Sequence, residues 1–229
     1  MPDRGLRTIE GLAPEGFDAG PLVIEGRWLQ LTFEVDRDAA LRWMPVDVTR
    51  PIPCYGRLLV VLGEGERGRL EFAVLSVGGR FRMIPRNVLV EAVSVGSARL
   101  PALWGPLRSG EVDVGRVGED FAVQISREGK LLVEASFPRP YAIDPAMLRW
   151  DGWVVYASEG GRDVLAEAPV EVGATAAWLS KGAAMTPARG LDRADPWYQL
   201  RTLLPISACM AEGRLAIGPA KVPAPMVLS

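Results

Sequence analysis

The chain has 229 residues, 48% of them apolar and 24% charged, with a net charge of −2. That is enough to bury a sizeable core, removing roughly 70% of the unfolded surface, and the composition is that of an ordinary globular protein. The charge balance offers no basic excess to neutralise phosphates, which argues against a dedicated nucleic-acid binder. Histidine is absent, and only three of the 26 basic residues are lysines: Lys130, Lys181 and Lys221. Ser–His and Cys–His nucleophile pairs are therefore excluded, as are histidine zinc sites. Cys54 and Cys209 leave open one disulfide or two thiols. No stretch has the apolar length to span a bilayer and the start has no apolar leader core, so the expectation is a cytoplasmic protein that does not engage membranes.

Residues 1–20 read as an N-terminal arm, 21–220 as one domain and 221–229 as a C-terminal tail. Leu22–Phe33 alternates apolar and polar residues, as a strand or as a hairpin around Glu25-Gly26. Asp36 is placed to cap a short helix that Pro45 ends. Tyr55–Leu62 and Arg69–Val77 read as strands joined by a GEGERG turn, and Phe81–Ile84 as a short strand. Asn87 is expected to cap a second helix over Val88–Ser94. Val112–Arg116, Phe121–Arg127 and Lys130–Phe137 read as strands, the last two joined by Glu128-Gly129. Trp153–Ala157, Val164–Val172 and Thr175–Leu179 follow as strands. Asp195-Pro196 has the form of an N-cap and first helical residue, and Pro205–Gly218 is a last strand region. Many short strands with frequent Gly/Pro punctuation predict a mainly β or α+β fold with a few short helices.

The order of these segments resembles the acetoacetate decarboxylase superfamily. EGRWLQLTFEVDRDAALRWMPVDV is similar to that family's opening strand and short helix. RLEFAVLSV resembles its glutamate-bearing strand, ARLPALWGPLR its proline-lysine-lysine stretch, REGKLLVEASFPRP the hairpin after it, and LLPISACMAEGRLAIGPAKV the C-terminal strand. The resemblance implies a β-barrel, an oligomer, a small-molecule substrate and no cofactor or metal. It also implies a lysine that forms a Schiff base with a β-keto acid, its pKa lowered by a neighbouring cation.

The resemblance places Arg27 at the substrate-binding arginine and Glu71 at a catalytic glutamate. Leu107 falls at the Schiff-base lysine and Arg108 at its neighbour. A leucine forms no imine, and a guanidinium with a pKa above about 12 is no substitute nucleophile. The second glutamate has no match, since Arg57 or Leu58 occupies its strand. Tyr55 and Trp104 are candidate pocket walls.

Each candidate has a plainer reading. Arg27 clamps a substrate carboxylate, or is a strand arginine paired with Glu25 or solvated. Glu71 is an acid–base group, or the outward residue of an edge strand. Arg108 is a pocket cation, or a solvated turn arginine. Asp192 and Asp195 are a calcium pair, or a hydrated loop. Three functions follow: an oxo-acid-binding protein without imine chemistry that performs an acid–base dehydration, cyclisation or isomerisation; a non-catalytic binder; or a lyase using a displaced lysine, Lys181.

Overall fold

The computed structural model describes residues 21–45, 47–66, 68–95, 107–148, 150–159 and 162–218, and the side chains at 107, 155–159 and 162–164 are not described. The expected arm and tail therefore lie outside the described residues. The described chain is dominated by strands: β1 (Leu22–Glu34), β2 (Val48–Thr49), β3 (Tyr55–Gly65), β4 (Gly68–Phe81), β5 (Ile84–Ser94), β6 (Leu107–Val117), β7 (Asp120–Arg127), β8 (Lys130–Phe137), β9 (Tyr141–Ile143), β10 (Trp153–Glu159), β11 (Arg162–Ala168), β12 (Val170–Ser180), β13 (Ala184–Pro187) and β14 (Leu204–Ile217). The helices are α1 (Arg37–Trp43) and α2 (Pro196–Gln199), with a 3-10 turn at Pro145–Met147. No described helix is long and apolar enough to cross a membrane.

The local signals explain most of these elements. The Asp36 carboxylate accepts from Ala39 N and starts α1, and the Asp195 carboxylate accepts from Trp197 N and starts α2. Glu128 and Gly129 both take positive φ, 53° and 74°, the backbone of a two-residue hairpin turn. Arg82 and Met83 (51° and 66°) make the same kind of turn between β4 and β5. Leu22–Glu34 is one continuous strand with no hairpin at Glu25-Gly26.

The helix expected over Val88–Ser94 does not form; that segment is β5, antiparallel to β4. Val88, Val90 and Val93 are β-branched and suit a pleated surface. Their helix-like spacing comes from a register shift opposite Leu75/Ser76, which interrupts strict alternation. Asn87 caps no helix. Its Nδ2 donates to Asp151 O at 3.1 Å and its N–H to Gly152 O at 2.9 Å, tying β5 to the loop before β10.

The strands join in the order β13-β8-β7-β6-β5-β4-β3-β1-β14-β12-β9, antiparallel except where β6 and β10 run parallel to β5. The central strands are buried on both faces. On β4, Leu70, Phe72 and Val74 enter one core with Trp28 and Trp153, while Ala73, Leu75 and Val77 enter another with Leu31, Val123 and Trp197. The second core lies inside the curl of the sheet. Arg27 on β1 lies 5.8 Å from the ring centre of Phe121 on β7, although four strands separate β1 from β7. In a flat sheet those strands would stand about 24 Å apart. The hydrogen-bonded path still ends at β13 and β9, so the closed barrel implied by the resemblance is not formed among the described residues.

A tight approach between strands lies one residue before Arg27. Gly26 faces Gly63 on β3 and Gly213 on β14. A Cβ on Gly26 would lie 2.3 Å from Leu62 O and 2.5 Å from Gly63 Cα. Both obstacles are backbone, so relief requires spreading β1 from β3. Gly26→Ala is expected to cost about 1–3 kcal/mol, lowering the melting temperature by several degrees in a domain of this size. An unchanged melting temperature would mean that the strands can part freely.

Candidate ligand-binding site

One row of paired residues crosses the inner face: Glu212 on β14, Arg27 on β1, Leu62 on β3 and Glu71 on β4. Arg27 continues the inward series of Leu29, Leu31 and Phe33, and Glu71 that of Ala73 and Leu75. The Arg27 Nε donates to Glu212 Oε1 at 2.8 Å, and Nη2 donates to the same oxygen. The Arg27 side chain is 41% exposed and that of Glu212 37%. The guanidinium is therefore oriented at a half-open rim, with its Nη1 edge outside the Glu212 pair. Phe121 underlies it, and Arg116 reaches the same ring at 5.9 Å. Glu71, 15% exposed, is ion-paired with the outlying Arg69.

The other expected site residues fall elsewhere. Arg108 is exposed on β6, where it pairs with Val93. Leu107 pairs through its backbone with Ala92, and Trp104 lies outside the described residues. Tyr55 lies on the opposite face of the sheet from Arg27, packed against Gly78, where an added Cβ would lie 1.8 Å from its ring. Burial raises its phenol pKa, with Arg57 opposing. Arg57 occupies that outer face too, 2.8 Å from Asp151 and 5.4 Å from the Tyr55 ring. Cys54 and Cys209 are both buried free thiols, and burial pushes Cys209 up to about 11 against the pull of Arg57. Lys130 and Lys181 are exposed, with Lys181 Nζ 5.7 Å over the Tyr141 ring. Lys221 lies outside the described residues. Asp192 and Asp195 are used locally: Asp192 accepts from Ala194 N, and Asp195 caps α2.

A second polar group on the inner face was not anticipated. Arg127, at the far end of β7 from Phe121, donates from Nη1 to Glu91 at 2.7 Å and from Nη2 to Asp195 at 2.5 Å. Glu91 is 6% exposed and Asp195 8%. Burial raises the Glu91 pKa, while Arg127 and the Trp197 indole pull it down. Burial also works against the Arg127 charge, but Asp195 and Glu91 outweigh it and raise its pKa. Phe121 and Arg127 stand about 20 Å apart along the strand, with Val123 and Ile125 fully buried between them. The available signal was a lone glutamate in the apolar run VLVEAVSV.

No family model matches the chain, and no curated protein sequence matches it. Solved structures do. A crystal structure of acetoacetate decarboxylase from Legionella pneumophila superposes with a TM-score of 0.72 at 11% identity, covering 90% of this chain and 88% of that one. The chain has the acetoacetate decarboxylase-like fold. The enduracididine biosynthesis enzyme MppR, complexed with pyruvate, gives 0.70 at 18% identity over 92% and 94%. An acetoacetate decarboxylase-like enzyme from Sphingomonas wittichii RW1 gives 0.68 at 13% over 93% and 97%. At these identities the likeness concerns the fold.

In this acetoacetate decarboxylase-like fold, the Glu91–Arg127–Asp195 group is a fastening. Arg127→Met would leave two carboxylates buried without their cation, an expected loss of about 3–5 kcal/mol in denaturant unfolding. The raised Glu91 pKa means that the folded state holds this proton more tightly than the unfolded chain does. Stability relative to Glu91→Gln should therefore fall as pH rises above the ordinary value of 4.5. A pH-independent difference between the two proteins would contradict the assignment.

Proposed function

We propose that this chain binds a small carboxylate-bearing metabolite of the oxo-acid class at the Arg27 rim, without forming a lysine imine. The observation that carries the reading is the orientation of Arg27. Glu212 and Phe121 hold its guanidinium at a half-open inner rim, with an N–H edge free for a carboxylate. The MppR complex with pyruvate supports the ligand class by analogy of fold. The absence of an imine rests on Leu107 and Arg108 standing where the resemblance expects lysines, and on the exposed positions of Lys130 and Lys181.

Glu71, two strands from Arg27 in the same row, is the group we assign to acid–base catalysis of a dehydration, cyclisation or isomerisation. The ion pair with Arg69 favours a second reading, in which Glu71 is held as a structural anion and the protein binds without turnover. Self-association fits Leu203, Leu204 and Ile206, exposed together where β12 does not pair with the start of β14.

Calorimetric titration with pyruvate tests the site. Arg27→Ala should weaken binding at least tenfold, in line with loss of a charge-assisted hydrogen bond worth about 1.5–3 kcal/mol. Equal affinity in the two proteins would remove Arg27 from the site. Borohydride added with pyruvate should leave the protein mass unchanged, whereas a stable adduct on any lysine would refute the imine-free reading. If Glu71→Gln retains binding and abolishes a detected turnover, the enzyme reading stands; retained turnover excludes Glu71 as the acid–base group.

A further inference from the structure

A charged feature not used by the Arg27 site is a hollow of about 190 Å³ between α1 and α2, lined by Asp36, Arg42, Arg193, Tyr198, Gln199 and Arg201, among others. It touches none of the residues of the Arg27 rim. Arg42 comes from the last turn of α1, Arg193 from the loop before α2, and Arg201 from just after α2. All three are exposed, and none is in an ion pair with a carboxylate among the described residues. Arg27, Arg57, Arg69, Arg86 and Arg127 each pair with a carboxylate, whereas Arg37, Arg80, Arg189 and Arg214 do not among the described residues; what sets Arg42, Arg193 and Arg201 apart is that they converge on one hollow. Asp36 lines the hollow, but its Oδ1 is occupied in capping α1.

The walls are held in place. Trp43 Nε1 donates to Gln199 Oε1 at 3.2 Å and ties α1 to α2. Gln199 keeps its amide N–H donors for the hollow. The Arg201 guanidinium lies 5.1 Å over the Tyr198 ring, a cation–π contact that uses the ring face and none of the guanidinium N–H donors. Asp195 anchors the start of α2 to Arg127 inside the sheet.

We propose that this hollow is a binding site for a phosphoryl group. Three guanidiniums against one carboxylate leave two positive charges, matching a phosphate dianion, whose several oxygens can be shared among forked donors. A lone carboxylate brings one charge and two oxygens and would leave one guanidinium uncompensated. The walls repel one another when the hollow is empty, so an anion relieves that repulsion as well as making its own bonds. The volume suits a phosphate or diphosphate moiety, with the rest of any larger molecule outside.

The test uses pyrophosphate as probe on the full chain, by calorimetry and thermal shift in buffer of matched ionic strength. Saturable 1:1 binding and a raised melting temperature are expected. Arg42→Ala, Arg193→Ala and Arg201→Ala should each weaken binding at least fivefold, and the triple variant should abolish it. Arg139→Ala, an exposed arginine away from the hollow, should bind normally. A circular-dichroism melt in the absence of probe checks that the variants are folded. If Gln or Lys replacements at Arg42 and Arg201 still bind like the parent, the guanidinium assignment fails. Absence of saturable binding, or equal binding by the triple variant, overturns the site. Citrate binding at least as tight as pyrophosphate overturns the phosphoryl assignment. Arg27→Ala should leave pyrophosphate binding unchanged, which separates this site from the oxo-acid site.

Discussion

Three strands approach one another more closely than side chains permit, and the Arg27 end of the molecule depends on it. Gly63, Gly26 and Gly213 lie side by side on β3, β1 and β14. Gly213 has a φ of 135°, which L side chains rarely adopt, and a Cβ there would lie 2.4 Å from Gly173 O. Removing Cβ atoms from one row allows strong local coiling of the sheet. The next row carries Glu212, Arg27, Leu62 and Glu71. The curl allows Arg27 to meet Phe121 across the interior, so two residues distant in strand order share one rim. Backbone crowding thus precedes the chemistry: the guanidinium is positioned by strands that close on glycine.

The inner face divides polar groups by position along the strands. At one end Arg27 and Glu71 are partly exposed and individually paired. At the other, Glu91 and Asp195 are almost wholly buried and share Arg127. Apolar residues fill the space between. Partial exposure keeps ion-pair exchange cheap at the first end, where contributions per pair are small. Burial makes each partner indispensable at the second, because a buried charge without its counterion is costly. The same residue types therefore suit adaptability at one end and closure at the other.

Local backbone signals were legible in the sequence. Asp36, Asp195-Pro196 and Glu128-Gly129 act within a few residues, and each formed the cap or turn expected of it. The phase of a pattern broken by a bulge was not legible: Val88, Val90 and Val93 mimic a helix because the register shifts opposite Leu75/Ser76. Tyr55 and Arg27, both candidate pocket residues by sequence, face opposite sides, since no single-strand pattern says which face curls inward when both are apolar. Glu91 and Arg127 are 36 residues apart and Arg127 and Asp195 68; contacts of that range depend on topology. Trp104 and the side chain of Leu107 lie outside the described residues, so the segment that carried the family resemblance adds least to the site geometry.

The Arg127 fastening has a consequence for traffic. Opening the α2 end would separate one cation from two buried carboxylates, so passage there carries a heavy electrostatic toll. Between that end and the Arg27 rim, Val123 and Ile125 are fully buried, so the two polar ends are insulated from each other by packed side chains.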